Sequence, residues 1–407
     1  MQKIFLLLVF ITFTLPSLSQ SLLIAAKEKD KKYGYINTQG NYVIAPSFDE
    51  AGAFYQGIAV VRKGKKVGVI NAKGEFIVPP LYEDAIYYAP EGKVSVKKAG
   101  KWGVIDQSGK IIIPIIHEFI SVFINGYVVA GKYIGKKQFA NMICPVVLNE
   151  QNEVIFEVGK PITEDPENLI EYDCFNLFLP GYANKRNNAY SNGWPIVREG
   201  ILVLKELPEG TPDYANFLAL DVRTGKSFSF PQGFQPVNNS FAFREGTIAM
   251  EIPESKREDF GDTGMGFYDT TSFTTGYMKE VLSEWVDHNV QPFFNGVAAL
   301  EKDERWIFIN RDFIVMSETQ LSPKEYKAFP PMYFNGLIGF WKNGKAGFVD
   351  ITGKEVIPFT LEEYHPFEYD VTPAKQNGFY GLLRKDGSWA VPPKFEDLQM
   401  GPCPCFH

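Results

Sequence analysis

The sequence predicts an all-β protein assembled from tandem hairpin repeats of about 34 residues. Three observations carry that reading. A short core of Lys, a bulky residue, Gly, two apolar residues and then Asn or Asp returns at a fixed interval near both ends of the chain. Each core is followed by a second Gly six residues after the first and then by a Pro 11 or 12 residues after it. The composition, with 15% aromatic residues, 36 Gly and 27 Pro, suits many short strands joined by tight turns better than helical layers.

The cores line up without gaps inside them. Lys32-Tyr33-Gly34-Tyr35-Ile36-Asn37 is followed by Lys66-Val67-Gly68-Val69-Ile70-Asn71 and by Lys101-Trp102-Gly103-Val104-Ile105-Asp106. Lys345-Ala346-Gly347-Phe348-Val349-Asp350 shares the frame, and Tyr380-Gly381-Leu382-Leu383 follows it 34 residues later. Gly40, Gly74, Gly109 and Gly353 occupy the second Gly position, and Pro46, Pro79, Pro114, Pro358 and Pro392 the Pro position. A leading element, as in Phe54-Tyr55-Gln56-Gly57-Ile58-Ala59-Val60-Val61, precedes several cores.

Each feature has a physical role within one unit. Val69-Ile70 and Phe76-Ile77-Val78 flank a hairpin turn in which Gly74 supplies the positive φ. Asn71, Asp106 and Asp350 open that turn because a short polar side chain bonds the backbone two residues on, so the acidic residue is structural rather than catalytic. Pro79-Pro80 removes ladder donors and is expected to end the pairing. One unit of about three short strands cannot bury both of its faces, so neighbouring units must stack.

The N-terminal segment reads as a targeting signal. Lys3 precedes a nearly unbroken apolar run from Ile4 to Leu15, and Ser17 and Ser19 supply small residues for cleavage before Gln20. That run is too short for a membrane anchor, no Cys offers lipid attachment, and no other segment is long and apolar enough to span a bilayer. The expectation is export to the periplasm, the cell surface or the medium. With 41 Lys and Arg against 48 Asp and Glu, the net charge of −7 is a poor match to a phosphate backbone, and nucleic acid is not expected as a partner.

Lys101-Trp102-Gly103-Val104-Ile105-Asp106-Gln107-Ser108-Gly109-Lys110 with Ile113-Pro114 closely resembles the motif of the WG-repeat, or KWG-repeat, family of bacterial proteins. The resemblance covers residues 31–131 and 334–397, and the centre retains worn copies at Val147-Leu148-Asn149, Leu218-Ala219-Leu220-Asp221, Gly266-Phe267-Tyr268-Asp269 and Trp306-Ile307-Phe308-Ile309-Asn310. Tyr33, Val67, Ala346 and Tyr380 replace the family's Trp, so the position asks for apolar bulk rather than an indole donor. The resemblance implies a propeller-like β-repeat array that serves as a binding surface, and it assigns no single activity. An open β-solenoid is the alternative geometry.

The organisation expected is a signal peptide at 1–19, WG-type repeats at 20–131 and 334–400, degenerate repeats with insertions at 132–333, and a Cys-containing tail at 401–407. Within the centre, Tyr277, Val281 and Trp285 with Met278, Leu282 and Val286 predict an amphipathic helix after Thr274 and Thr275. Ser322-Pro323-Lys324-Glu325 has the form of a capping box and predicts a second, short helix. Residues 164–192 read as a long polar loop.

Motifs that could carry chemistry are thin. Asp262-Thr263-Gly264 has the aspartic-protease triplet, but that chemistry needs a second copy, and the segment reads as a turn. Cys403-Pro404-Cys405-Phe406-His407 offers soft metal ligands but too few to close a site, and reads as a tail. Cys144 and Cys174 are candidates for a disulfide in an oxidising compartment. His117 falls where other units place Phe48 and Tyr82, which marks it as an aromatic substitute; His288 and His365 stand in no catalytic pattern. Carboxylates such as Glu362 and Glu363 leave open a glycosidase pair. The functional expectation is a non-enzymatic interaction scaffold at the cell envelope with a protein or glycan partner and no cofactor or metal; the alternative is a carbohydrate-binding or carbohydrate-active protein with an aromatic cleft.

Overall fold

A computed structural model describes residues 22–29, 31–137, 140–157, 177–178, 197–206, 216–231, 233–236, 245–251, 265–269, 293–327, 333–365, 367 and 369–400. Every regular element among them is a β-strand, and all the strand pairs are antiparallel, grouped in seven sheets. Among the described residues, alternation of apolar residues with turn chemistry every few residues leaves no stretch long enough to close a helix.

One unit shows why the repeat has its sequence. Strands Glu50–Ala51, Ile58–Lys63, Lys66–Asn71 and Phe76–Tyr82 form a four-stranded sheet in that order. The leading strand is only two residues long, so the periodicity exposed three strands and missed the fourth. Gln56 and Gly57, at φ 49° and 81°, form a two-residue turn of the kind that hairpins favour. Asn71 Oδ1 accepts hydrogen bonds from the amides of Lys73 at 2.9 Å and Glu75 at 3.1 Å, which closes the next turn. Asp106 and Asp350 make the same pair of bonds, to Ser108 and Lys110 and to Thr352 and Lys354.

Pro79 and Pro80 do not end the ladder as expected. They lie inside the edge strand Phe76–Tyr82, whose register runs from Val69↔Val78 to Val67↔Tyr82 and so carries a bulge. A missing donor costs little there, because the strand is an edge and the bulged residues face no partner. Pro114 and Pro358 hold the same place in Ile111–His117 and Glu355–Leu361. The bulge also explains the Gly of the motif. A Cβ on Gly68 would lie 2.6 Å from the Val78 carbonyl oxygen, and on Gly34, Gly103, Gly347 and Gly381 between 2.5 and 2.7 Å from the corresponding carbonyl. Only Gly lets the folded-over edge strand approach so closely.

The residue before that Gly pairs with the end of the edge strand: Tyr33↔Phe48, Val67↔Tyr82, Trp102↔His117, Ala346↔Leu361 and Tyr380↔Phe395. Hence the position takes many bulky residues, and His117 stands where Phe48 and Tyr82 stand.

The array closes on itself. Strand Ile24–Glu28 pairs with Trp389–Gln399, with Ala25 opposite Gln399 and Ala26 opposite Leu398. The same long strand uses its first half to pair with Phe379–Arg384, so one seven-stranded sheet contains both ends of the chain. Each sheet shares a buried apolar cluster with the next, and the last such cluster joins Phe348 and Leu361 to Phe367 and Leu383 beside the seam. The architecture is a closed, propeller-like ring rather than an open solenoid.

The worn centre keeps the repeat's turns. Asn149 and Asn310 bond the amides two and four residues on, as Asn71 does, while Asn152 and Phe313 take the positive φ that Gly supplies elsewhere. The helix expected at Ser322 is instead a single turn. The amides of Glu325 and Tyr326 both donate to the Ser322 carbonyl, after which Lys327 bridges to Trp341. That pairing with a neighbouring strand outcompetes a helix too short to stabilise itself. Within the expected loop, Leu177–Phe178 forms a short strand. The helix at 277–286, Asp262-Thr263-Gly264, His288, Cys174 and the 401–407 tail lie outside the described residues.

Candidate interaction surface

Beside the end of each edge strand stands an acidic residue, followed in four of the five intact units by a second: Asp49-Glu50, Glu83-Asp84, Glu362-Glu363 and Glu396-Asp397, with Phe119 after Glu118 in the other. The acidic pairs recur with the period of the repeat but fall outside its familiar core, which is why reading by cores alone passes over them.

The first acid caps the following hairpin. The amide of Gly64 donates to Asp49 at 2.7 Å, the amides of Ala99 and Gly100 to Glu83 at 2.9 and 3.1 Å, and the amide of Gly378 to Glu362 at 2.8 Å. The Lys of the motif meets that acid from the other side, at 3.0 Å in Lys32–Asp49 and Lys101–Glu118 and 3.5 Å in Lys345–Glu362. These backbone donors, with the lysines second, hold the carboxyls of Asp49, Glu83 and Glu362 below their usual range.

The second acid ties two units through a cation and a tyrosine. The Arg62 guanidinium contacts Glu50 and Asp84, each at 3.0 Å, and the Tyr87 hydroxyl donates to Glu50 at 2.8 Å. Burial pushes the Tyr87 phenol far up, with the Glu50 charge adding to it, so the hydroxyl stays a donor. At the seam, Tyr380 donates to Glu363 and Tyr33 to Asp397, while Lys375 pairs with Glu363 at 3.0 Å. Burial would raise Glu363, but the Tyr380 and Lys375 contacts outweigh it and leave the group low.

Around another set of turns, side chains reach from unit to unit. Glu199 accepts from the Gly246 amide at 2.6 Å, Glu245 from Gly296 at 3.0 Å, and the amides of the Asn295 and Asn335 side chains donate to the carbonyls of Tyr333 and Phe367. Among the described residues, these polar side chains thus knit one unit to the next. Among the described residues no group of three His, Cys, Asp or Glu gathers to hold a metal ion, and no helix is long and apolar enough to cross a membrane. His365 is half-buried beside the seam; burial lowers its pKa, partly offset by Asp397 and Glu363. Cys144 lies in Ala140–Asn149 with its backbone opposite Lys132.

The same repeat geometry sets lysine-rich turns in a row. Lys31-Lys32, Lys63-Gly64-Lys65-Lys66 and Lys97-Lys98-Ala99-Gly100-Lys101 occupy equivalent turns of three successive units, spread along the linear chain but joined here through Asp49 and Glu83.

No curated protein matches the chain in sequence. Solved structures with a similar course include the eukaryotic initiation factor, at 12% identity over 94% of this chain and 98% of that one, TM-score 0.42. AztD from Citrobacter koseri matches at 8% identity over 93% and 97%, TM-score 0.39, and an acylaminoacyl peptidase from Pyrococcus horikoshii at 12% over 82% and 57%, TM-score 0.34. Likeness of that degree transfers no activity. The family model of the WG containing repeat matches residues 33–66, 68–102, 102–132 and 347–378, which are the stretches where the bulged edge strand, the crowded Gly and the Asn or Asp turn coincide. Over these four stretches the chain is built of WG-containing repeats.

Proposed function

We propose that this protein is an exported, non-enzymatic scaffold that holds a protein or glycan partner at the cell envelope. The observation that carries the reading is the employment of the repeat's own polar residues: the motif lysines Lys32, Lys101 and Lys345, the paired acids and the turn formers bond one another or the backbone within the ring. A scaffold of this kind leaves recognition to loops and to surface outside the motif.

Among the described residues, the carboxyls whose pKa departs from the ordinary value, such as Asp49, Glu83, Asp106, Asp221, Glu362 and Glu363, all shift downward. A glycosidase acid needs the opposite shift, which favours the scaffold over the carbohydrate-active alternative. Export rests on the N-terminal Lys3 and the apolar run behind it.

Two measurements test the proposal. Residues 1–30 fused to a reporter active only in an oxidising compartment should give signal, and retention of the fusion in the cytoplasm would refute export. Mature protein should capture a partner from envelope extract or a glycan panel, and deletion of residues 164–192 should weaken capture; hydrolysis of a glycan by the purified chain would instead establish the enzyme.

A further inference from the structure

We propose that the three lysine-rich turns of the N-terminal units form a docking face for an anionic lipid bilayer, a role apart from the partner proposed above. Charge is unevenly distributed along the chain. Residues 20–110 carry 14 Lys and Arg against 9 Asp and Glu, an excess of five positive charges in a protein whose total is −7. The repeat register gathers much of that excess on one side. Lys29, Lys63, Lys65 and Lys98 are exposed and have no ion-pair partner among the described residues, while Lys31, Lys32 and Lys101 in the same turns are paired.

The turns are mechanically linked. Asp49 binds Lys32 of one turn at 3.0 Å and the Gly64 amide of the next at 2.7 Å, and Glu83, next to the Tyr82 that pairs with Val67 at the end of that second turn, binds the Ala99 and Gly100 amides of the third. The cations are therefore held in a fixed row rather than on independent loops.

Two of the turns carry an apolar companion. Because Val67 pairs with Tyr82, Leu81 lies beside the Lys63 to Lys66 turn, and it is 57% exposed. Because Trp102 pairs with His117, Ile116 lies beside the Lys97 to Lys101 turn, and it is 66% exposed. In the C-terminal units the equivalent positions are Thr360 and Lys394, so this combination belongs to the N-terminal face. A soluble polyanion would use the lysines alone. Branched apolar side chains set among unpaired lysines match the headgroup and upper acyl region of an anionic membrane, where each element contributes separately. The neighbouring Pro46, Pro79, Pro80 and Pro114 block strand addition at these edges, which disfavours an extended peptide as occupant.

The test is sedimentation of the purified mature chain with vesicles of phosphatidylcholine alone or with roughly a third phosphatidylglycerol. Binding is expected only to the anionic vesicles and should weaken as salt rises toward ~0.5 M. The Lys63→Glu, Lys65→Glu, Lys98→Glu variant should bind at least ~100-fold more weakly, about fivefold for each lysine lost. Leu81→Ser with Ile116→Ser should lose about tenfold at the same lipid composition. Lys226→Glu with Lys354→Glu, on other units, should bind as the parent does, and melting curves verify that every variant is folded. Equal binding to neutral vesicles, no binding to anionic ones, or full retention by the triple lysine variant overturns the proposal. So does retention on a sulfated polysaccharide column without vesicle binding, which would assign the face to a soluble polyanion.

Discussion

Ala26, in the first strand described, pairs across an antiparallel ladder with Leu398 in the last, and both side chains are buried. This contact turns a row of units into a ring, because neither end then presents an unpaired strand. Leu398 packs with Ile24, Ile36, Val371 and Val391, which come from both ends of the chain.

Truncating Leu398 to Ala should therefore cost about 2–5 kcal/mol, measured by denaturant unfolding. Deleting residues 395–407 removes every pair of that ladder, Glu28 opposite Phe395 included, and small-angle scattering should show an expanded chain. A deletion variant with the parent's radius and midpoint would mean that the seam contributes nothing to closure.

Gly68 and Gly64 should respond differently to Ala. At Gly68 the new Cβ would meet the Val78 carbonyl oxygen at 2.6 Å, so the bulged edge strand must shift, at a cost of about 1–3 kcal/mol. Around Gly64 there is open space but φ is 64°, and the cost should be near 1 kcal/mol. Thermal melting of the two variants ranks them, and a milder effect at Gly68 would remove the crowding explanation of the motif.

Asp106→Asn should be nearly neutral and Asp106→Ala should lose about 1 kcal/mol. Asn71 already does the same work with an amide oxygen, accepting from Lys73 and Glu75. If both variants were equally destabilised, charge rather than turn geometry would be what the position needs.

Stability should rise with pH on the acid side in two stages. The Asp49, Asp106 and Asp350 carboxyls are low in the native state, through the Gly64 amide, the Ser108 hydroxyl and the Thr352 hydroxyl first. Their contribution is present above the unfolded value of about 4 and is lost as pH falls through the native values. Burial lowers His117 and His365 as well, so the unfolded chain takes up those protons first. Their contribution is complete above about pH 6.5 and declines below it. Melting temperature followed from about pH 2 to 8 should show both arms, and His365→Gln should flatten the upper one. An unchanged upper arm in that variant would assign it to His117 or elsewhere.

The linear sequence by itself determined the unit: Asn71 and Asp106 as turn formers, Gly74 and Gly109 at positive φ, and a bulky residue before Gly68 or Gly103 are local requirements, each met within a few residues. Tertiary structure decided what depends on residues brought together from afar. Pro79 reads as a stop because it lacks a donor, yet its neighbours show an edge bulge where no donor is needed. Ser322 reads as a helix start, yet the bridge from Lys327 to Trp341 claims the chain first. The acids Asp49 and Glu83 look like scattered surface charge until the repeat places the next unit's turn amides against them. Ring closure through Ala26 and Leu398 is the extreme case, since a periodic pattern specifies each neighbour contact but not whether the last unit returns to the first.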